Sequence, residues 1–477
     1  MIRPGKIPPQ SVFYPAPSIL RSYLFSLRFS FLPQTISLGS LSAGLFSLFI
    51  FWDAGNAAEI KAKRLETPNG ITLLIVEQPS LPIVSVEALI RAGSLYDPEE
   101  KAGAANMTAS LLEEGTKKRT STQISEAIDF IGASLSAAAD EDYMTADLRV
   151  LKKDVETGFD LLSDILMNPV FDPEEIERVR SNTLGAILSE KDQPAVIAER
   201  AFQKIVFGKH PYHAPVNGFE ETVPKIGRED IVSFHQRYYR PNNMTLAMVG
   251  DITEKEAVVL ANKYFGRWEK RPISFPKIEP PRPVQTKTVQ LIDKDLTQAS
   301  VVLGHVGVAR SNPDYYAVSV MNYILGGGGF SSRMMNDIRD NKGLVYSIYS
   351  RFSVNRDPGA FAVSFQTKSG STNEAIQGVL QEINRIRTEP VGETELAEAK
   401  AYLIGSFPLR LDTTAKLASL LSSVEYYRLG LDYFQKYPEY IRKVSREDVL
   451  RAAQKYLDPK NYALVVVAKQ SEAKVKE

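Results

Sequence analysis

The chain has 477 residues, with 57 basic and 57 acidic side chains, four histidines and no cysteine. That length holds two or more domains with sizeable cores, and the balanced charge leaves no electrostatic footprint for a nucleic-acid partner. The lack of cysteine excludes disulfides, thiolate catalysis and cysteine-ligated metal sites together.

Residues 1–37 carry Arg3, Lys6, Arg21 and Arg28 and no acidic residue. An apolar stretch runs from Leu38 to Trp52, and Ala54, Gly55, Asn56, Ala57 and Ala58 close it. A basic region, an apolar region and a small-residue cleavage site come in the order of a secretory signal peptide. The apolar run of about 15 residues is short of the ~20 a membrane span needs. Residues 1–58 are therefore read as signal peptide and N-terminal extension. The mature protein is expected to be periplasmic or secreted, with no stable membrane span after cleavage.

Beyond the signal, residues 71–76 and 83–90 read as β-branched strands. Ile124, Ala127, Ile128 and Ile131 fall on one helical face, with Ser121 or Thr122 as cap and Gly132 as the stop. Residues 133–151 read as two strands around a turn at Asp140-Glu141-Asp142. Glu113-Glu114 reads as a solvated helix end. Asp172-Pro173-Glu174-Glu175 has the pattern of a helix start: a cap, a proline at the first position, and acids at the positive end of the dipole. Ile176, Val179, Leu184, Ile187 and Leu188 continue its expected buried face. His210 and His213 flank a proline and read as a turn pair near the surface rather than metal ligands.

Five prolines between Pro272 and Pro283 mark a linker. On either side the sequence repeats at a constant shift. Arg228-Glu229-Asp230-Ile231 returns as Arg446-Glu447-Asp448-Val449, and Leu246-Ala247-Met248-Val249 as Leu464-Val465-Val466-Val467, both 218 residues on. The chain therefore reads as a duplicated α+β fold. An N-terminal domain over 59–268 is joined by a linker over 269–286 to a C-terminal domain over 287–477. In the second domain Gly326, Gly327, Gly328 and Gly329 read as a flexible turn or hinge entering a helix capped by Ser331 or Ser332. No Gly-Lys-Ser/Thr comes after it, so a phosphate cradle is disfavoured. Leu344 to Ser350 alternates as a strand.

The glycine run, helix and strand, with Arg339 and Tyr346 seven residues apart, resemble the C-terminal domain of the pitrilysin/insulinase zinc peptidases. So do Arg91-Ala-Gly-Ser-Leu-Tyr-Asp-Pro98, Gly103 and Gly115-Thr116 in the first half. Gly208-Lys209-His210-Pro211-Tyr212, and Tyr239-Arg240-Pro241-Asn242-Asn243-Met244 leading to Val249-Gly250-Asp251, are similar to further landmarks. The resemblance covers nearly all of residues 60–470. It implies two homologous domains, each a mainly antiparallel sheet packed with helices, forming half of a clamshell.

Peptidases of that family bind zinc through His-x-x-Glu-His on a helix. Counted back from Gly115-Thr116, the matching positions are Asn106, Ala109 and Ser110. Neither histidine nor the general base is present. The helix that should carry the third, glutamate ligand has no acid from Ser181 to Ser189, and Gly185 and Ala186 stand near the expected place. No metal is expected on this chain. The resemblance also implies that Arg339 and Tyr346 bind a substrate carbonyl and stabilise its oxyanion. In heterodimeric bacterial members this pair faces a partner's zinc. The sequence is therefore read as the non-catalytic subunit of a zinc endopeptidase. It would complete the site of a homologous, zinc-motif-bearing subunit and clamp unfolded peptides. The alternative is a peptidase-like binding or scaffolding protein with no part in proteolysis, similar to core subunits of respiratory complexes.

Overall fold

Two sheets, one from each half of the sequence, organise the protein. The structure, a computed structural model, describes residues 60–475; the expected signal segment lies outside them. The first sheet uses β1 (Lys63–Glu66), β2 (Thr72–Glu77), β3 (Ile83–Ile90), β4 (Ser134–Ala139), β5 (Met144–Leu151) and β6 (Met244–Gly250), in the order β1-β2-β6-β3-β5-β4. The second uses β7 (Thr288–Asp293), β8 (Gln298–Val306), β9 (Val345–Val354), β10 (Pro358–Lys368) and β11 (Ala463–Ala468), in the order β7-β11-β8-β10-β9. Apart from the extra β1 the two orders are the same. In each sheet one pair is parallel, β2 with β6 and β7 with β11, and the rest are antiparallel.

The helices of the first half are α1 (Ala104–Ser110), α2 (Ser121–Phe130), α3 (Val155–Met167), α4 (Pro173–Glu190), α5 (Pro194–Phe207), α6 (Arg228–Tyr238) and α7 (Glu254–Phe265). Those of the second are α8 (Tyr315–Asn322), α9 (Thr372–Thr388), α10 (Glu393–Gly405), α11 (Thr414–Tyr426), α12 (Tyr433–Lys443), α13 (Arg446–Tyr456) and α14 (Gln470–Ala473). The bounds of α6 and α13 differ by the 218 residues of the sequence repeat at both ends. The fold is thus a duplicated α+β structure.

The halves exchange helices. α5, from the first half, packs on β8 and β11 of the second sheet, and α11, from the second half, packs on β3 and β6 of the first. Each core is consequently shared: Val302, Ala362 and Val465 lie in the cluster of the first half, and Leu74, Ala247 and Val249 in that of the second. This explains the central strands. β11 (ALVVVA) is buried throughout and β6 nearly so, because each is covered by its own half's helices on one face and by the exchanged helix on the other. A strand buried on both faces reads as a continuous apolar run rather than an alternation. β4, at the sheet edge, alternates between exposed and half-buried positions.

Several local expectations are corrected. The cap of α2 is Thr120, one residue earlier than expected, in a capping box with Gln123: each side chain accepts a backbone N–H of the other. Asp172 does cap α4, accepting from the Glu174 amide at 2.9 Å. The buried face of α4 then runs out, and Leu188 is 48% exposed. No helix or strand lies between Phe265 and Thr288, but this proline-rich segment is held down. Phe275 stacks on Tyr238 at 5.7 Å between centroids and lies 5.0 Å from Tyr96, with the Arg91 guanidinium 4.4 Å above its ring. Arg237 also donates to the Ser274 carbonyl.

Candidate functional site

The site residues expected from sequence fall at two poles, one in each half. The first pole is α1. Gly103 precedes it at φ +102°, where a side chain would be strained and would also meet the Asn217 carbonyl. Asp97 fixes the start of the helix by accepting from the Gly103 and Ala105 amides, both at 2.8 Å. Burial pushes its carboxyl up to about 8, against the opposing pull of those amides.

On α1, Asn106 and Ser110 are half-buried and one turn apart, and Ala109 is fully buried. These residues do not fit zinc. Alanine has no donor atom, and neutral amide and hydroxyl oxygens are poor substitutes for imidazole. α4 offers no replacement: Gly185 and Ala186 are exposed on it. The flanking acids are already paired, Glu177 with Arg180 at 3.1 Å and Glu190 with Arg200 at 2.9 Å. Among the described residues no three His, Asp or Glu side chains are grouped to hold a metal ion.

Glu113 and Glu114 are not the solvated helix end expected. Glu113 accepts from the Ala137 amide of the edge strand β4 at 2.9 Å, and burial raises its carboxyl above the usual range. Glu114 pairs with Arg178. His210 also departs from expectation. It is buried, accepts from the Tyr212 amide at 3.2 Å, and lies 3.4 Å from Asp357 in the other half. Its partner lies 147 residues away, so no local pattern could reveal it. His213 contacts the His210 carbonyl. His235 contacts the Leu166 carbonyl at 2.9 Å, and burial lowers it to about 4.

The second pole lies between α8 and β9. α8 continues into a π-helical turn, Tyr323–Gly327, and a second π-helical segment spans Met335–Asn341. Such widened turns recur at functional sites. The glycine run is not an open turn. A Cβ on Gly326 would sit 2.6 Å from Ser350 Oγ, on Gly327 2.5 Å from Asn322 Nδ2, and on Gly328 2.7 Å from the Tyr323 carbonyl. These three glycines allow close packing against β9 and the preceding turn. Only Gly329, at φ +59°, faces open space. Ser332 does not cap the second π-helical segment: no side chain accepts from its first amides, and the Ser332 hydroxyl donates back to the Gly329 carbonyl at 2.7 Å.

Buried Met334, Met335 and Ile338 anchor that segment. Its last turn closes through Leu344 N–H to Ile338 O at 3.0 Å and Gly343 N–H to Arg339 O at 2.8 Å. β9 then starts at Val345, and this tight return brings Arg339 and Tyr346 together. The Arg339 guanidinium carbon is 5.9 Å from the Tyr346 ring centroid and 5.0 Å from that of Phe330. Sequence reasoning did not select Phe330; the available signal was a large aromatic at the end of a glycine run. Tyr346 is 85% exposed and Phe330 69%. Arg339 donates to Asp340 at 2.9 Å, leaving other donors of its five without a partner among the described residues. The pole therefore presents a permanent cation and a phenol side by side on an open surface. That arrangement suits recognition of a carbonyl or carboxylate oxygen.

Comparison with known proteins agrees with this architecture. Residues 72–218 match the family described as "Insulinase (Peptidase family M16)", and residues 225–403 match "Peptidase M16 inactive domain". An uncharacterized zinc protease of Mycobacterium leprae is 30% identical over 367 residues, spanning 76% of this chain and 82% of that protein. The uncharacterized zinc protease YmxG of Bacillus subtilis is 25% identical over 352 residues, spanning 74% and 85%. The crystal structure of a peptidase M16 inactive domain from Pseudomonas fluorescens superposes with a TM-score of 0.81 at 27% identity, covering 86% of this chain and 98% of that one. A protease from Helicobacter pylori shares the fold, with a TM-score of 0.80 at 20% identity, over 86% of this chain and 99% of that one. With its duplicated fold, its altered α1 and its Arg339–Tyr346 pole, the chain belongs to the insulinase (peptidase M16) family.

Proposed function

We propose that this chain is an exported, non-catalytic subunit of a zinc endopeptidase. It completes the active site of a homologous subunit that carries an intact His-x-x-Glu-His motif and the zinc. Arg339 and the Tyr346 hydroxyl donate to the carbonyl oxygen of the scissile peptide bond. They stabilise the negative charge that develops there as water adds to the carbonyl carbon. The partner's motif would hold the zinc and the general base and would supply the activated water. Extended peptides are held through backbone hydrogen bonds along a sheet edge, which read little side-chain sequence.

The observation that carries this reading is the asymmetry between the poles. α1 has buried Ala109 where a base would stand, whereas Arg339 keeps unpartnered donors beside an exposed Tyr346. A scaffold needs no open cation of this kind.

The test is co-purification with a zinc-motif homologue from the same organism. Alone, this chain should bind no stoichiometric zinc and cleave nothing; the mixture should cleave unfolded peptides. Arg339→Ala should lower kcat of the mixture by about 100-fold or more, the range for loss of one oxyanion donor, and Tyr346→Phe should lower it similarly. Unchanged turnover in both variants would refute completion of the partner's site and leave a scaffolding role.

A further inference from the structure

A cleft of about 400 Å³ opens between the two halves, and none of its lining residues belongs to either pole. Arg91, just past β3, lines it from the first half; Arg356, just past β9, and Arg428, just past α11, line it from the second. Arg356 is engaged, donating to Asp357 and to the Tyr96 hydroxyl, both at 3.1 Å. Arg91 lies over the face of Phe275 and near the Tyr426 phenol, and neither it nor Arg428 has a carboxylate partner among the described residues. The one acid in the lining, Glu425, already accepts from Arg64 at 3.0 Å. Arg91 of the first half and Arg428 of the second therefore bring unpaired positive charge to the cleft, while Asp357 compensates Arg356 and Asp142 lies near Tyr426 and Tyr427.

Two further observations point into the same space. Tyr426 lines the cleft, and its hydroxyl, near the Asp142 carboxylate, is buried with no hydrogen-bond partner, although buried hydroxyls are nearly always satisfied. Arg428 sits at φ +55° in the closing turn of α11, its amide donating to the Glu425 carbonyl at 3.0 Å and the Leu429 amide to Val424 at 2.9 Å. This is the helix-ending position that glycine fills without strain. An arginine there bears a backbone cost, and its head group stands at the cleft.

We propose that the cleft binds a small multivalent oxyanion of the phosphate or polycarboxylate class, which bridges Arg91 of the first half to Arg356 and Arg428 of the second. Forked guanidinium donors match such oxygens. The Tyr426 hydroxyl supplies a further donor, and the bound anion offsets the repulsion between arginines brought together from the two halves.

The test is isothermal titration of the purified chain with inorganic phosphate and, separately, with citrate, against sodium chloride of equal ionic strength. At least one of the two should bind saturably at one site per chain, and the comparison of their affinities assigns the class. Arg428→Gly removes the guanidinium while relieving the backbone, so the variant should fold and melt no lower than the parent, yet bind the anion at least tenfold more weakly. Arg91→Ala should weaken binding likewise from the other half. Absence of saturable binding of both anions beyond the chloride control, or full affinity retained in Arg428→Gly, would overturn the proposal.

Discussion

Glu87 lies where the exchanged helix meets the first sheet. It is 3% exposed on β3, directly opposite Asp147 of β5, and its carboxyl bonds with Ser419 and Ser422 of α11. Burial, reinforced by the neighbouring Asp147 charge, pushes it up to about 7 from an ordinary 4.5. The folded protein thus keeps a proton on Glu87 that the unfolded chain releases. Between pH 4.5 and 7 the folded state binds more protons, so stability from this group falls as pH rises through that window and levels off above it. The window spans about 2.5 pH units, and at about 1.4 kcal/mol per unit the loss is on the order of 3 kcal/mol. Glu87→Gln keeps the shape and a hydrogen-bonding amide but cannot ionise. In urea unfolding followed by circular dichroism, this variant should match or fall slightly below the parent at about pH 4.5. At about pH 8 it should exceed the parent by roughly 3 kcal/mol. Buried carboxyls that do not touch Glu87, Asp97 among them, titrate alike in both proteins and drop out of the difference; Asp147, which hydrogen-bonds Glu87, is the one whose titration the substitution also alters. A parent-to-variant difference that does not change with pH would refute the reasoning.

Leu421→Ala, on the fully buried face of α11, should cost about 2–5 kcal/mol. It should lower a single calorimetric transition for the whole chain, because α11 closes the first sheet while belonging to the second half; two separated transitions would contradict the shared core. Gly326→Ala should destabilise by about 1–3 kcal/mol, the scale of an overpacked contact, since its Cβ would meet Ser350 at 2.6 Å. Gly329→Ala, which meets nothing but takes a left-handed backbone, should cost only about 1 kcal/mol in the same urea melts; equal losses at the two positions would show that the glycine run is not packed as described.

Much of the fold was legible because its signals are local or periodic. The 218-residue repeat located α6 with β6 and α13 with β11, and Asp172-Pro173 located the start of α4. The helix exchange was not legible. α5 has an ordinary amphipathic pattern, which states that one face is buried but not which sheet buries it. The same limit applies to His210 and Glu113. Each is a polar residue whose partner, Asp357 or the Ala137 amide, is brought to it only by tertiary packing. The clearest hint of exchange lay in β6 and β11, whose unbroken apolar runs demand cover on both faces, whereas β4 and β5 alternate.

The two poles become intelligible through that duplication. In both halves the chain leaves the middle one of the five shared strands, β3 or β8, builds a helical crossover, and returns on the edge strand, β4 or β9. Asn106, Ala109 and Ser110 lie on the crossover of the first half. Arg339 lies on that of the second, with Tyr346 at the start of its edge strand. On the function proposed above, one duplicated segment supplies both walls of the site, and the two copies are free to diverge because each wall would do separate chemistry. A metal site is all-or-none: one histidine or one glutamate alone binds zinc poorly, so once a ligand is gone nothing selects for the others. An oxyanion pocket needs only donors that point outward, and Arg339 and Tyr346 meet that requirement from a turn held by Met334, Met335 and Ile338 beneath it. Retention of the second wall without the first is therefore expected if the missing wall is supplied by another chain, and it has no such rationale in a protein that works alone.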